Sequence, residues 1–224
     1  GEAVNQAALA NIIEAVGRIV TDFPEIAEMD LNPVLATPGG AMAVDARIAL
    51  DFAPQAAYRR PPHDEIVRAM NRIMKPDAVA VIGASAEAGK IGNSVMKNLI
   101  NGGYAGKIYP IHPKAEEIEG IKAYPSVKAV DGDIDMAVFA IPAALVPNAL
   151  RECGEKDIPG AVLIPSGFAE TGNVEAQQEI QRIGEELGIR LMGPNIYGFY
   201  YTHKNLCATF CTAYDVRGQV ALSS

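Results

Sequence analysis

The sequence predicts an α/β protein whose main body is a parallel sheet covered by helices on both faces, preceded by a helix and a β-hairpin. Apolar runs at 78–83, 107–111, 135–141, 160–165, 190–192 and 219–223 alternate with helical stretches at about 90–102, 143–157 and 172–188. Strands spaced by helices of that length build right-handed βαβ units, and hence a parallel sheet. Ahead of them stand one helical period and two β-like runs around a glycine turn.

Each element has its own signal. Over 3–21, Ala8, Ile12, Ala15 and Ile19 fall near the 3.6-residue period of a helix. Segments 26–36 and 41–50 flank "TPGG", which reads as a hairpin. "DFAPQAAYRRPPHD" (51–64) holds three prolines and no usable period, so it reads as a linker. A short helix over about 64–74 leads into the sheet. The expected organisation is therefore 1–50, a linker and short helix at 51–75, and the α/β domain at 76–224. One helix and one hairpin are too little to fold alone, and the chain stops at "GQVALSS", directly after a strand-like run. The expectation is a fragment of a longer chain.

Composition narrows the function classes. Among 224 residues, 49% are hydrophobic and 21% charged, as in soluble globular proteins. The net charge of -8 argues against a nucleic-acid or anionic-membrane surface, which needs a basic footprint, while clustered Lys or Arg could still hold a small anion locally. No apolar stretch reaches the roughly 18 residues of a membrane span, so neither a membrane span nor a signal peptide is expected. Cys153, Cys207 and Cys211 are too few for a disulfide framework. The CxxxC of Cys207 and Cys211 lacks a second ligand pair, so plain thiols and a cytoplasmic location are expected.

The chemistry is concentrated in the turns. In "VAVIGASAEAGKIGNSV" (79–95), Gly83 fits the first position of a G-x-G-x-x-G turn, Ser85 replaces the second glycine, and Ala88 with Gly89 roughly completes it. Strand before and helix after would aim backbone N–H groups and Ser85 at an anion. A tight turn without ligand is the plain alternative. The next strand, "KIYPIHPK", carries His112, Pro113 and Lys114 where a NAD site wants an acid. A cation there suits a ribose phosphate, either the 2′-phosphate of NADP or the 3′-phosphate of coenzyme A. A solvated turn lysine remains the other reading of Lys114.

"FAIPAA" (139–144), "LIPSGFAE" (163–170) and "MGPNIYG" (192–198) each end a strand in Pro, Gly, Ser or Asn. Such turns suit an extended ligand lying across the sheet edge. They hold no Ser/His/Asp order, no carboxylate pair apart from the single Glu170, and no hydride-transfer acid. The site reads as a holder more than a reactor.

Taken together, "AVAVIGASAEAGKIGNSVMKNLINGGYAGKIYPIHPK", "AVFAIPA", "IPSGFAE" and "MGPNIYG" resemble, in order, the Rossmann-like CoA-binding domain of ADP-forming acyl-CoA synthetases, relatives of succinyl-CoA synthetase. "DFPEIAEMDLNPVLATPGGAMAVDARIAL" is similar to the final hairpin of the same family's ATP-grasp domain. The resemblance implies that Asn32 and Asp45, with Glu28 nearby, hold the Mg²⁺ that bridges ATP phosphates; a turn residue and a solvated carboxylate are their plain readings. It further implies that Gly83, Ser85, Glu87, Gly89 and Lys90 line the CoA pyrophosphate turn. Lys114 would meet the adenosine end, Pro142, Ser166 and Gly167 would border the nucleotide or pantetheine, and Asn195 would stand near the reacting end.

The family works through a phosphohistidine on a following domain. His63 in the linker, His112 and His203 do not match that motif and read as non-catalytic, with His112 open to lining the pocket. The implied activity is acid–thiol ligation: acyl acid, CoA and ATP give acyl-CoA, ADP and phosphate. CoA would bind this chain, and the carboxylic acid and ATP would engage further domains. A homo-oligomer, or association with those domains, is the expected assembly. Three alternatives remain open: an NADP-binding oxidoreductase domain, a non-catalytic CoA- or nucleotide-sensing module, and a ligase carrying an acyltransferase domain.

Overall fold

The computed structural model describes residues 3–52 and 62–212, which divide into one unit up to Arg60 and a second from Pro61. The expected strand at 219–223 and most of the linker lie outside the described residues.

The first unit contains α1 (Gln6–Asp22), β1 (Ile26–Asp30), β2 (Val34–Thr37), β3 (Gly40–Ala43) and β4 (Arg47–Leu50). Asn5 caps α1 by accepting the Ala8 N–H at 2.9 Å, which satisfies one of the free donors of a helix start. The "TPGG" turn closes the β2–β3 hairpin with Thr37 opposite Gly40. The second β-like segment, expected over 41–50, is two strands. β3 pairs with β2 and β4 pairs with β1, so the chain must change partners, and it does so at 44–46. None of the described residues of this unit is buried, and Ile13, Met42 and Phe52 are among its exposed apolar side chains.

The second unit runs α2 (His63–Met74), β5 (Ala78–Ile82), α3 (Ile91–Asn101), β6 (Lys107–Ile111), β7 (Glu117–Ile118), β8 (Ile121–Lys122), β9 (Met136–Phe139), α4 (Val146–Glu155), β10 (Gly160–Leu163), α5 (Val174–Leu187), β11 (Arg190–Met192), β12 (Gly198–Tyr201) and β13 (Leu206–Thr209). His63, expected in the linker, is the first residue of α2. The five parallel strands lie in the order β11-β10-β9-β5-β6.

Every residue of β5, β9 and β10 is buried, which explains their unbroken apolar runs. One face packs Ala80, Ala137, Phe139 and Leu163 against Leu150 of α4 and Ile180 of α5. The other packs Val79, Val81, Met136 and Val162 against Val95, Met96 and Leu99 of α3, with Leu206 and Ala208 of β13. Alternate residues of one strand thus feed opposite cores, as the period of two requires. α5 starts on an Asn173 cap and stops at Gly188 in the left-handed region, φ 66°.

Candidate functional site

The strand order reverses between β5 and β9, and ligands of open parallel sheets settle at that reversal, beyond the carboxyl ends of the strands. A cavity of about 970 Å³ opens there. Of the ten residues expected around a nucleotide, Gly83, Ser85, Glu87, Gly89, Lys90, Pro142, Ser166 and Asn195 line it. A smaller cavity of about 580 Å³ beside α5 and β11 gathers none of them.

The floor is made by backbone packed against backbone. Gly83 has φ 86°, and a Cβ there would meet the Ala140 carbonyl oxygen at 2.5 Å. Its N–H donates to Ile111 O at 3.0 Å, and Ala140 N–H donates to Ile82 O at 2.8 Å. The ends of β5, β6 and β9 are thereby locked together. The turn then passes Ser85, whose hydroxyl accepts the Glu87 N–H at 3.0 Å, and enters α3. No side chain caps α3, and Lys90, Ile91 and Gly92 at its start line the cavity. Free N–H groups and the helix dipole there favour an anion.

Charges at the site are mixed. Lys90 Nζ stands 3.9 Å from Glu87 Oε2, both well exposed, a pairing that contributes little. His112 lines the cavity with its Nδ1 accepting N–H groups of Lys114 (3.2 Å) and Ala115 (2.9 Å), so the proton of the neutral ring sits on Nε2. Asn195 adopts φ 58° and donates its N–H to Pro165 O at 3.0 Å, joining the turns after β10 and β11. Tyr197, 71% exposed, and Phe210 add an aromatic rim, ring centres 5.5 Å apart.

Two expected residues stand outside the lining. Lys114 faces a neighbouring depression that also holds His112 and Lys122. Gly167 has its N–H taken by the Glu170 carboxylate at 2.5 Å, and Phe168 N–H reaches the same oxygen at 3.2 Å. These hydrogen bonds, the one from Gly167 foremost, hold the Glu170 carboxyl below the usual range. The amide that a bound anion would use is therefore already engaged.

In the first unit, Val44 N–H donates to Pro33 O at 3.0 Å, next to the Val34–Ala43 pair. Asn32 and Asp45 are thus one residue further out on facing chains. Asp45 Oδ1 accepts its neighbour's N–H, that of Ala46, at 2.8 Å. Two oxygen donors suit a hard cation whose remaining ligands are phosphates or waters. Among the described residues no three His, Cys, Asp or Glu side chains converge as a metal cluster.

Asn93 and Glu119 escaped the sequence reading. Asn93, only 3% exposed, donates from Nδ2 to Ser85 O (3.0 Å) and to Glu119 Oε1 (2.8 Å).

Known proteins resemble the chain in both units. Residues 1–50 match the family described as ATP-grasp domain. The ADP-forming acetate–CoA ligase of Methanocaldococcus jannaschii is 48% identical over 152 residues, 68% of this chain and 21% of that protein. In ADP-forming acetate–CoA ligase I of Pyrococcus furiosus, the alpha subunit is 44% identical over 161 residues, 69% of this chain and 35% of the subunit. The beta subunit of that enzyme is 51% identical over 47 residues, 21% of this chain and 20% of the subunit.

A dinucleotide-forming acetyl-coenzyme A synthetase of Ca. Korarchaeum cryptofilum, solved with phosphate and ADP, superposes with a TM-score of 0.65 and 40% identity. That match covers 66% of this chain and 32% of the other. The chain thus spans between a fifth and about a third of the length of these relatives. Residues 77–202, more than half of the chain, match the family described as CoA binding domain, and the chain belongs to that family.

Proposed function

We propose that this chain is the CoA-holding part of an ADP-forming acid–CoA ligase, joined to the closing strands of its ATP-grasp domain. The observation that carries the reading is the glycine-tight turn from Gly83 to Gly92, which opens an uncapped helix start into a cavity bordered by the ends of β6, β9, β10 and β11. The diphosphate of CoA would lie against Ser85, Gly89 and the α3 N–H groups. Pantetheine would extend past Pro142 and Ser166 toward Asn195. Lys114, in the depression next to His112, would meet the 3′-phosphate, with Lys122 beside it.

The reaction of the whole protein would convert a carboxylic acid, CoA and ATP into acyl-CoA, ADP and phosphate. Its phosphohistidine would be carried on another domain. Here the chain's own residues bind and orient CoA so that its thiol is presented to an acyl phosphate. Asn32 and Asp45 would supply oxygen ligands to the Mg²⁺ of bound ATP. The P. furiosus relatives are alpha and beta subunits, and we place this chain likewise in association with the remaining ligase parts. The setting we assign is cytoplasmic; no described helix is long and apolar enough to cross a membrane.

Calorimetric titration with CoA, dephospho-CoA, NADP and NAD tests the reading. CoA is expected to bind more tightly than dephospho-CoA, and Lys114→Ala to remove that preference. Binding of NADP without CoA would overturn it.

A further inference from the structure

The buried Asn93 amide has two hydrogens and two acceptors, one from each of two separate loops. Its Nδ2 holds the Ser85 carbonyl in the turn after β5 and the Glu119 carboxylate between β7 and β8. Because both partners accept, the amide orientation is fixed. Asn93 does not line the cavity, but Ser85 does. Glu119 has φ 51° and Gly120 φ 76°, the two-residue turn in which Asn or Gly sits most easily. A glutamate there accepts a left-handed backbone that its side chain does not favour, and its carboxylate is spent on Asn93 and on Lys97, 3.9 Å away.

We infer that Asn93 and Glu119 are positioning residues for the anion-binding turn: the Glu119 carboxylate aligns the Asn93 amide, which fixes the Ser85 carbonyl and so aims the neighbouring N–H groups into the cavity. This rests on the CoA reading above. The pair acts on the diphosphate end and leaves recognition of the 3′-phosphate untouched.

Asn93→Asp is isosteric but turns an acceptor toward both acceptors. It is expected to weaken CoA and dephospho-CoA alike, by about tenfold or more, with their ratio unchanged. Glu119→Gln keeps an oxygen for the amide and is expected to bind as the parent does. Glu119→Gly relaxes the backbone and deletes the contact; it should melt near the parent temperature yet bind CoA more weakly.

In Asn93→Asp/Glu119→Gln the new amide donates to the new carboxylate, which restores the link between loops but not the hold on Ser85. Melting temperature is expected to recover while CoA affinity does not. Parent-like affinity in Asn93→Asp or Glu119→Gly, or affinity recovering together with melting temperature in the double variant, would overturn the inference. A parent chain that fails to bind CoA would instead remove the reading beneath it.

Discussion

Gly92 lies directly against the Gly83 carbonyl, so that a Cβ on Gly92 would overlap that oxygen. The start of α3, the end of β5 and the end of β9 therefore meet as bare backbone. Both glycines line the cavity.

Gly92→Ala should cost about 1–3 kcal/mol, because the obstructing atom is backbone and cannot swing aside. Gly89→Ala is the control: nothing lies within 4 Å of its added Cβ, although φ is 87°. Its cost is the left-handed backbone alone, roughly 1 kcal/mol. Urea midpoints should fall further for Gly92→Ala, and CoA affinity should fall with them. Equal midpoints for the two would mean that the close approach is not what shapes the turn.

How much of this was legible follows from what each signal depends on. β5, β9 and β10 announce themselves because strands buried on both faces must be apolar throughout. The turn at Gly83 is legible because only glycine tolerates both its φ and its neighbours. The β12–β13 hairpin was not foreseen: its sequence mixes aromatics with "THKN", and the strand that buries, Leu206–Thr209, has one large apolar residue followed by Cys, Ala and Thr. The break at 44–46 was hidden because pairing partners, not propensity, impose it. Asn93 looks like an ordinary polar position of an amphipathic helix, and its partner Glu119 is 26 residues on. The engagement of the Gly167 amide by Glu170 likewise appears only once distances are known.

Glu170 should titrate below an ordinary carboxyl. Its charged form accepts the Gly167 and Phe168 N–H groups. The stabilisation it brings is therefore complete above the ordinary carboxyl pKa and is lost as pH falls through its own depressed value. Following the Gly167 amide by NMR should give a midpoint below that of a free glutamate. Glu170→Gln keeps an oxygen acceptor and should abolish the step. A midpoint at or above the ordinary value would contradict the hydrogen bonding described.

The thiols should react in order of exposure. Burial, with the charge of Glu152 adding to it, pushes the Cys153 thiol up to about 12, leaving almost no thiolate at neutral pH. Cys153 and Cys207 are both buried, and Cys211 is half-buried. A disulfide reagent is expected to label Cys211 first in the native protein, and the other two only on unfolding. Rapid labelling of Cys153 would show that α4 lifts from the sheet.

Thr209, fully buried, donates from its hydroxyl to Tyr197 O at 2.5 Å and accepts the Cys211 N–H at 3.1 Å. Asn98 of α3 reaches the same stretch, giving its Nδ2 hydrogens to Thr209 O and Cys211 O, each at 2.7 Å. The hydroxyl thus ties the aromatic rim of the cavity to the strand packed on α3. Thr209→Val preserves shape but removes both part-buried hydrogen bonds, those to the Tyr197 carbonyl and from the Cys211 N–H, at about 2 kcal/mol together. Thr209→Ser keeps both bonds and loses one methyl, about 1 kcal/mol. Denaturant midpoints should rank Ser above Val. CoA affinity should fall only for Val, because only there is the Tyr197 carbonyl released; the reverse ranking would place the stabilisation in the methyl group and free the rim from Thr209.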